Sequence, residues 1–146
     1  MDKTDLIEKI KVLLASAFAL SLKAHNYHWN VTGPNFGEYH EFFGEFYDTV
    51  NDSVDVYAEH IRMLGVFTPG SLKRFSELSI ISDEIAVPSP KFMFVRLAAD
   101  NKLFIDELLS VADMAEKMNE RGLLNTLEAQ IQYHEKIQWM LTSYTE

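Results

Sequence analysis

The chain reads as an all-α protein: a four-helix bundle with a short helix in the crossover between the second and third long helices. Three observations carry this. Apolar residues recur at spacings of three and four along four long stretches of the 146 residues. No alternating pattern runs long enough to suggest a sheet. The links are short except the one between the second and third stretches, which describes a bundle with one crossover.

The first helix is expected from about Asp5 to Asn30, with Leu6, Ile10, Leu13, Leu14, Ala17, Phe18 and Leu22 on its apolar face. Thr4 is its expected N-cap, and Gly33-Pro34 ends it. The second runs from about Phe36 to Leu64 through Tyr39, Phe43, Phe46, Tyr47, Val50, Val54, Tyr57 and Ile61, until Gly65 and Pro69-Gly70 stop it. Ser71 to Leu78 reads as a short helix lying across the bundle. Ser89-Pro90 is a cap followed by proline at the first helical position. From there the third long helix continues to about Asn119 through Phe94, Leu97, Ala98, Phe104, Ile105, Leu108 and Val111. Gly122 lies near the turn into the fourth, which carries Leu124, Leu127, Ile131, Ile137, Trp139 and Met140. No internal repeat or linker divides residues 1–146, so a single domain is expected.

Composition narrows the function. Hydrophobic residues make up 47% and charged residues 24%, which suits a folded globular chain. Thirteen Lys and Arg against 22 Asp and Glu give a net charge of -9, a balance that repels nucleic-acid phosphates and attracts cations. The chain has no cysteine, which excludes disulfides, zinc knuckles and thiol catalysis. Met1 to Asp5 lacks the basic and apolar regions of a signal peptide, and no membrane span is apparent, so a cytoplasmic location is expected.

The segment from His28 to Glu59 carries the chemistry. His28 and His40 lie twelve residues apart, and Asp55-x-x-x-Glu59 follows. Mixed imidazole and carboxylate donors suit a divalent transition metal such as iron. Asp55 and Glu59, one helical turn apart, face the same way and can chelate one ion or bridge two. His40 and Asp55 are separated by 15 residues of helix, about 22 Å at 1.5 Å per residue. If both bind one metal, a second subunit supplies half the site. Singly, each residue is more often a hydrogen-bonded helix-end histidine or a solvated acid. Their joint spacing favours ligation. His25, His60 and His134 are assigned to structure or surface.

His25-Asn26-Tyr27-His28-Trp29-Asn30-Val31-Thr32-Gly33-Pro34-Asn35-Phe36, then His40-Glu41 and Asp55-x-x-Ala58-Glu59, resembles a Dps protein, one of the DNA-protection-during-starvation mini-ferritins. Leu64-Gly65 and the stretch from His134 to Leu141 fit as well, so the resemblance covers essentially the whole chain. It implies a ferritin-like bundle assembled as a hollow dodecamer that oxidises Fe(II), typically with hydrogen peroxide or else dioxygen, and stores Fe(III) inside. It also implies one or two irons per site at a two-fold interface, where His28 and His40 of one copy meet Asp55 and Glu59 of the other. Trp29 would lie close enough to the metal to intercept radicals.

Two departures from the family pattern stand out. A carboxylate commonly follows the second histidine by one turn, and here that position is Gly44. Glycine costs roughly 1 kcal/mol relative to alanine inside a helix, so it calls for a packing explanation. Glu45 points about 100° further round the helix, and Asp48 lies a turn too far along. His60 stands where an arginine often follows the glutamate.

In the shell that the resemblance implies, part of the acidic stripe of the second helix would face the cavity, which makes Glu41, Glu45 and Asp48 candidate mineral-nucleation groups. The resemblance also implies acidic entry pores near the start of the fourth helix, for which Glu120 and Glu128 are candidates by position, with Asn125 where an acid is expected. The alternative reading is a DNA-shielding or structural shell with a weakened metal site. Direct DNA binding is disfavoured, because neither end of the chain supplies a basic arm.

Overall fold

The computed structural model describes residues 2–146. In them the chain forms α1 (Thr4–Asn30), α2 (Phe36–Met63), α3 (Leu72–Leu78), α4 (Pro90–Lys117) and α5 (Arg121–Ser143), with no strand among the described residues. The expected long helices and the short crossover helix are all present, and the ends that the sequence specified move by at most two residues.

The helix ends show where local chemistry overrode the sequence reading. Thr4 is not the cap of α1 but its first residue. Lys3 holds the cap position without a side-chain bond, and Asp2 before it satisfies the helix end instead, accepting from the Thr4 amide at 2.9 Å and from the Thr4 hydroxyl at 2.6 Å. A carboxylate next to the positive end of the helix outcompetes a threonine for that role. Ser71, read from the sequence as the first residue of the short helix, is instead the cap of α3, accepting from the Arg74 amide at 3.2 Å. The turn out of α4 uses Asn119 rather than Gly122. Asn119 takes φ +58°, and the Glu120 amide reaches back to Ala115 O at 2.9 Å while Asn119 N–H bonds Glu116 O at 3.0 Å. This is the Schellman arrangement, in which asparagine tolerates the left-handed conformation. Gly122 lies inside the first turn of α5.

Topology follows from contacts between helix starts. Tyr39 and Phe94, each in the first turns of its helix, meet edge to face at 4.8 Å between centroids. α2 and α4 therefore begin at the same end of the bundle and run parallel, so the chain between them must travel back along its length. Tyr144, just past the end of α5, stacks on Phe94 at 4.3 Å at that same end. Lys3 and Glu120 form an ion pair at the opposite end. α1 packs most extensively on α2, and α4 on α5.

The crossover is fastened at several points. Thr68 donates to Ala58 O at 2.6 Å, the Ile80 amide donates to Ser16 Oγ at 3.1 Å, and Phe75 packs on Phe18 at 4.9 Å. Further along, Glu84 accepts from Tyr27 Oη at 2.7 Å and from Arg96 at 2.6 Å. Those donors, led by the Tyr27 hydroxyl, hold the Glu84 carboxyl below its ordinary pKa.

The core contains Tyr27, Phe43, Phe46, Tyr57, Phe94 and Phe104 with aliphatic residues from all four long helices. Two expected core positions face outward: Leu22 is 45% exposed and Trp139 66%. Phe42, which lies off the predicted stripe of α2, is buried. Periodicity gives the direction of a helix face but not its width.

Candidate metal centre

Helix α1 ends and α2 begins at the same end of the bundle, which brings His28 and His40 together across a five-residue link, residues 31–35. Their rings stack at 3.8 Å between centroids, 16° from parallel. Each is tied to the backbone of the other: His28 Nδ1 lies 2.6 Å from His40 O, and His40 Nδ1 lies 2.6 Å from His28 O.

This exchange has local causes. His28 belongs to the last turn of α1, where carbonyls have no helical partner, so its oxygen is available to accept. His40 O lies in the first turns of α2, and a carbonyl has two lone pairs, so it can accept an imidazole in addition to a helical amide.

The bonds also fix the tautomer. A carbonyl oxygen only accepts, so both Nδ1 atoms carry the proton and donate it. In a neutral imidazole that leaves Nε2 as the lone-pair donor, the state in which histidine binds metal. Neither Nε2 is engaged by the described residues. Two oriented nitrogen donors at 3.8 Å ring spacing are therefore built into a single chain.

Aromatic rings extend the stack on both sides. Phe36 lies over His40 at 5.0 Å. His25, one turn before His28, stacks on Tyr47 at 3.6 Å and lies against Trp29 at 3.9 Å. Partial burial and the neighbouring His28 hold the His25 pKa below its usual value, opposed by Asp48. The sequence reading left Phe36, His25 and Tyr47 out of the site. The i, i+3 spacing of His25 and His28 and the i, i+4 spacing of Phe36 and His40 are signals for two of them, whereas Tyr47 arrives through its contact with His25 on the other helix.

Gly44, the unexplained departure, proves to be steric. A Cβ at this position would lie 2.8 Å from His28 Nδ1 and 2.9 Å from His28 Cε1. The His28 ring occupies the space of the missing side chain.

Asp55 and Glu59 do not join the histidines within the chain. Both are exposed, further along α2, and no group of three or more His, Cys, Asp or Glu surrounds a common point among the described residues. Trp29 is 58% exposed beside His25. Glu41, Glu45 and Asp48 are exposed on α2. Glu120 is half-buried and ion-paired to Lys3, while Glu128 is exposed in a shallow groove with Asn125, Gln132 and Glu135.

The remaining histidines have other surroundings. His60 reaches Thr126 Oγ1 at 3.4 Å, linking α2 to α5. His134 is fully buried, with Nδ1 2.6 Å from Asn101 Oδ1 and Nε2 without a protein partner. Burial pushes its pKa down to about 3.

A helical bundle with one crossover and an oriented histidine pair at one end matches a known class. The family model of the Ferritin-like domain matches residues 7–146. The chain is 30% identical to a DNA protection during starvation protein of Brevibacillus brevis, covering 99% of each. It is 32% identical to a low temperature-induced protein of Nostoc sp., over 91% of this chain and 75% of that one. The crystal structure of Dps from Staphylococcus aureus superposes with a TM-score of 0.95 at 26% identity, covering 99% of this chain and 97% of the other. The chain belongs to the Dps family of ferritin-like proteins. No helix among the described residues is long and apolar enough to cross a membrane.

Proposed function

We propose that this chain captures Fe(II), oxidises it and holds the ferric product inside a homo-oligomeric shell, so limiting oxidative damage. The observation that carries the reading is the reciprocal histidine pair, whose hydrogen bonds leave two Nε2 lone pairs as ligands and no third ligand in the same chain. Asp55 and Glu59 of a second copy complete the centre, and the shell is a dodecamer.

Iron is the substrate here. The imidazoles bind the divalent ion, because borderline nitrogen donors suit Fe(II). The two carboxylates then favour the ferric state, since the added positive charge meets fixed negative charge. With hydrogen peroxide as oxidant, two Fe(II) each give one electron, the O–O bond breaks, and two protons are taken up to form two waters. Paired withdrawal of electrons releases less hydroxyl radical than one-electron chemistry in free solution. Glu41, Glu45 and Asp48 serve as nucleation groups, and Glu120 and Glu128 line the entry path.

Protection in this account comes from removing iron and peroxide. The net charge of -9 weighs against direct contact with DNA phosphates. The test is anaerobic titration with Fe(II), followed by peroxide with ferric absorbance as the readout, on the wild type and on His28→Ala/His40→Ala. Saturable binding and rapid oxidation, both lost in the variant, are expected. Equal behaviour of the two proteins would refute the reading.

A further inference from the structure

Gly44 stands one turn after His40, against the ring of His28. The helix itself does not require glycine there. Positive φ among the glycines is confined to Gly33 and Gly65, so Gly44 has a backbone conformation open to any residue. Alanine would serve the helix better. What excludes a larger residue is contact: a Cβ would lie 2.8 and 2.9 Å from two atoms of the His28 ring, closer than real Cβ atoms come to any neighbour.

That ring cannot yield cheaply. Its Nδ1 bonds His40 O at 2.6 Å, and its face lies on His40 at 3.8 Å. Turning it away from a Cβ would break the bond that fixes its tautomer and separate the two stacked donors. The other five glycines have nothing within 4 Å of a built Cβ, so this demand is peculiar to position 44.

We propose that Gly44 is a positioning residue for the metal centre: lacking a side chain, it provides the space in which His28 lies on α2, donates from Nδ1 to His40 O and presents Nε2. The proposal rests on the metal-centre reading above. It also turns the apparent loss of a carboxylate into a steric condition. In this chain a side chain at 44 and the observed seat of His28 are mutually exclusive.

The test uses Co(II), whose ligand-field absorption reports both affinity and geometry, on the assembled full chain. Wild type, Gly44→Ala, His28→Ala and the double variant are compared. Gly44→Ala is expected to weaken Co(II) binding about 10- to 100-fold, the usual range for groups that orient a metal ligand. It should also change the ligand-field spectrum. Its thermal midpoint should stay close to that of wild type, because the gain of about 1 kcal/mol from alanine in a helix offsets the one hydrogen bond that the displaced ring gives up. In the His28→Ala background it should cause no further loss, since it acts through that ring. Nitrogen-15 spectra of the metal-free protein should show His28 as a single Nδ1–H tautomer in wild type and not in Gly44→Ala.

Wild-type affinity and spectrum in Gly44→Ala would overturn the proposal. So would an equal further loss in the His28→Ala background, or a fall in thermal midpoint that tracks the loss of binding. Failure of the wild type itself to bind Co(II) would remove the metal-centre reading and this proposal together, whereas equal binding by wild type and Gly44→Ala removes this proposal alone.

Discussion

Helix α2 carries half of the proposed metal centre near each end, and the two halves are built differently. At its start, His40 is fixed by a 2.6 Å bond to a carbonyl of α1, a stacked partner at 3.8 Å and Phe36 over its other face. Further along, Asp55 and Glu59 are exposed and form no ion pair among the described residues. One half is preorganised by its own chain, and the other only offers charge. Histidine must be held in the correct tautomer to act as a ligand, so orientation matters most there. A carboxylate has two equivalent oxygens and tolerates approach from several directions, so it can be supplied by a partner when copies associate.

The largest effect should come from the preorganised half. Changing His28 and His40 together to alanine should abolish saturable Fe(II) binding. It should also lower stability by about 1 kcal/mol for each internal hydrogen bond lost, as read by denaturant unfolding. Loss of binding without any loss of stability would show that the reciprocal bonds contribute nothing to the fold and would break the contrast.

His134 gives a control within the same chain, a histidine whose Nε2 is sealed in the core. Its folded pKa of about 3 lies below the unfolded value near 6.5, so the unfolded state binds more protons between these limits. Stability is therefore fully present above pH 6.5, falls as pH drops toward 3, and levels off below. The loss approaches about 5 kcal/mol in order of magnitude at about 1.4 kcal/mol per pH unit. His134→Gln should flatten this limb in urea unfolding measured across the pH range. An unchanged limb would show that His134 does not control it.

In the acidic half, Asp55→Asn should weaken Fe(II) binding about tenfold, equivalent to about 1.4 kcal/mol. Unfolding free energy should change by no more than about 0.5 kcal/mol, because the group is exposed. A large drop in stability would show that Asp55 has a structural role within the chain. The smallest effect belongs to Phe36→Ala, which removes a ring from one face of His40. A loss of about 0.5–1 kcal/mol in binding is expected, and none would show that the outer stack is incidental.

The parts legible in the sequence were those set by spacing. Period 3.6 located the helices, and the 15 residues of helix between His40 and Asp55 mean that one metal bound by both needs two chains. What remained hidden depends on contacts across elements. Gly44 read as a missing ligand, because nothing in a linear sequence reveals that the His28 ring lies over it. Thr4 was preferred as the α1 cap because capping preferences do not rank a carboxylate two residues upstream. Leu22 and Trp139 followed the apolar period yet face outward, since period fixes orientation and not how far the neighbouring helices reach. The wiring of each imidazole was likewise invisible, although it separates His28 and His40 from His134.

The central claim is that one chain supplies the histidines and another the carboxylates. Co-assembly of His28→Ala/His40→Ala chains with Asp55→Ala/Glu59→Ala chains tests it directly, with Fe(II) binding as the readout. Each variant alone should bind none. In a two-fold dimer of unlike chains, one of the two centres regains all four ligands, so random mixing should restore about a quarter of the wild-type sites. A mixture as inactive as its components would contradict the account and return the metal centre to a single chain.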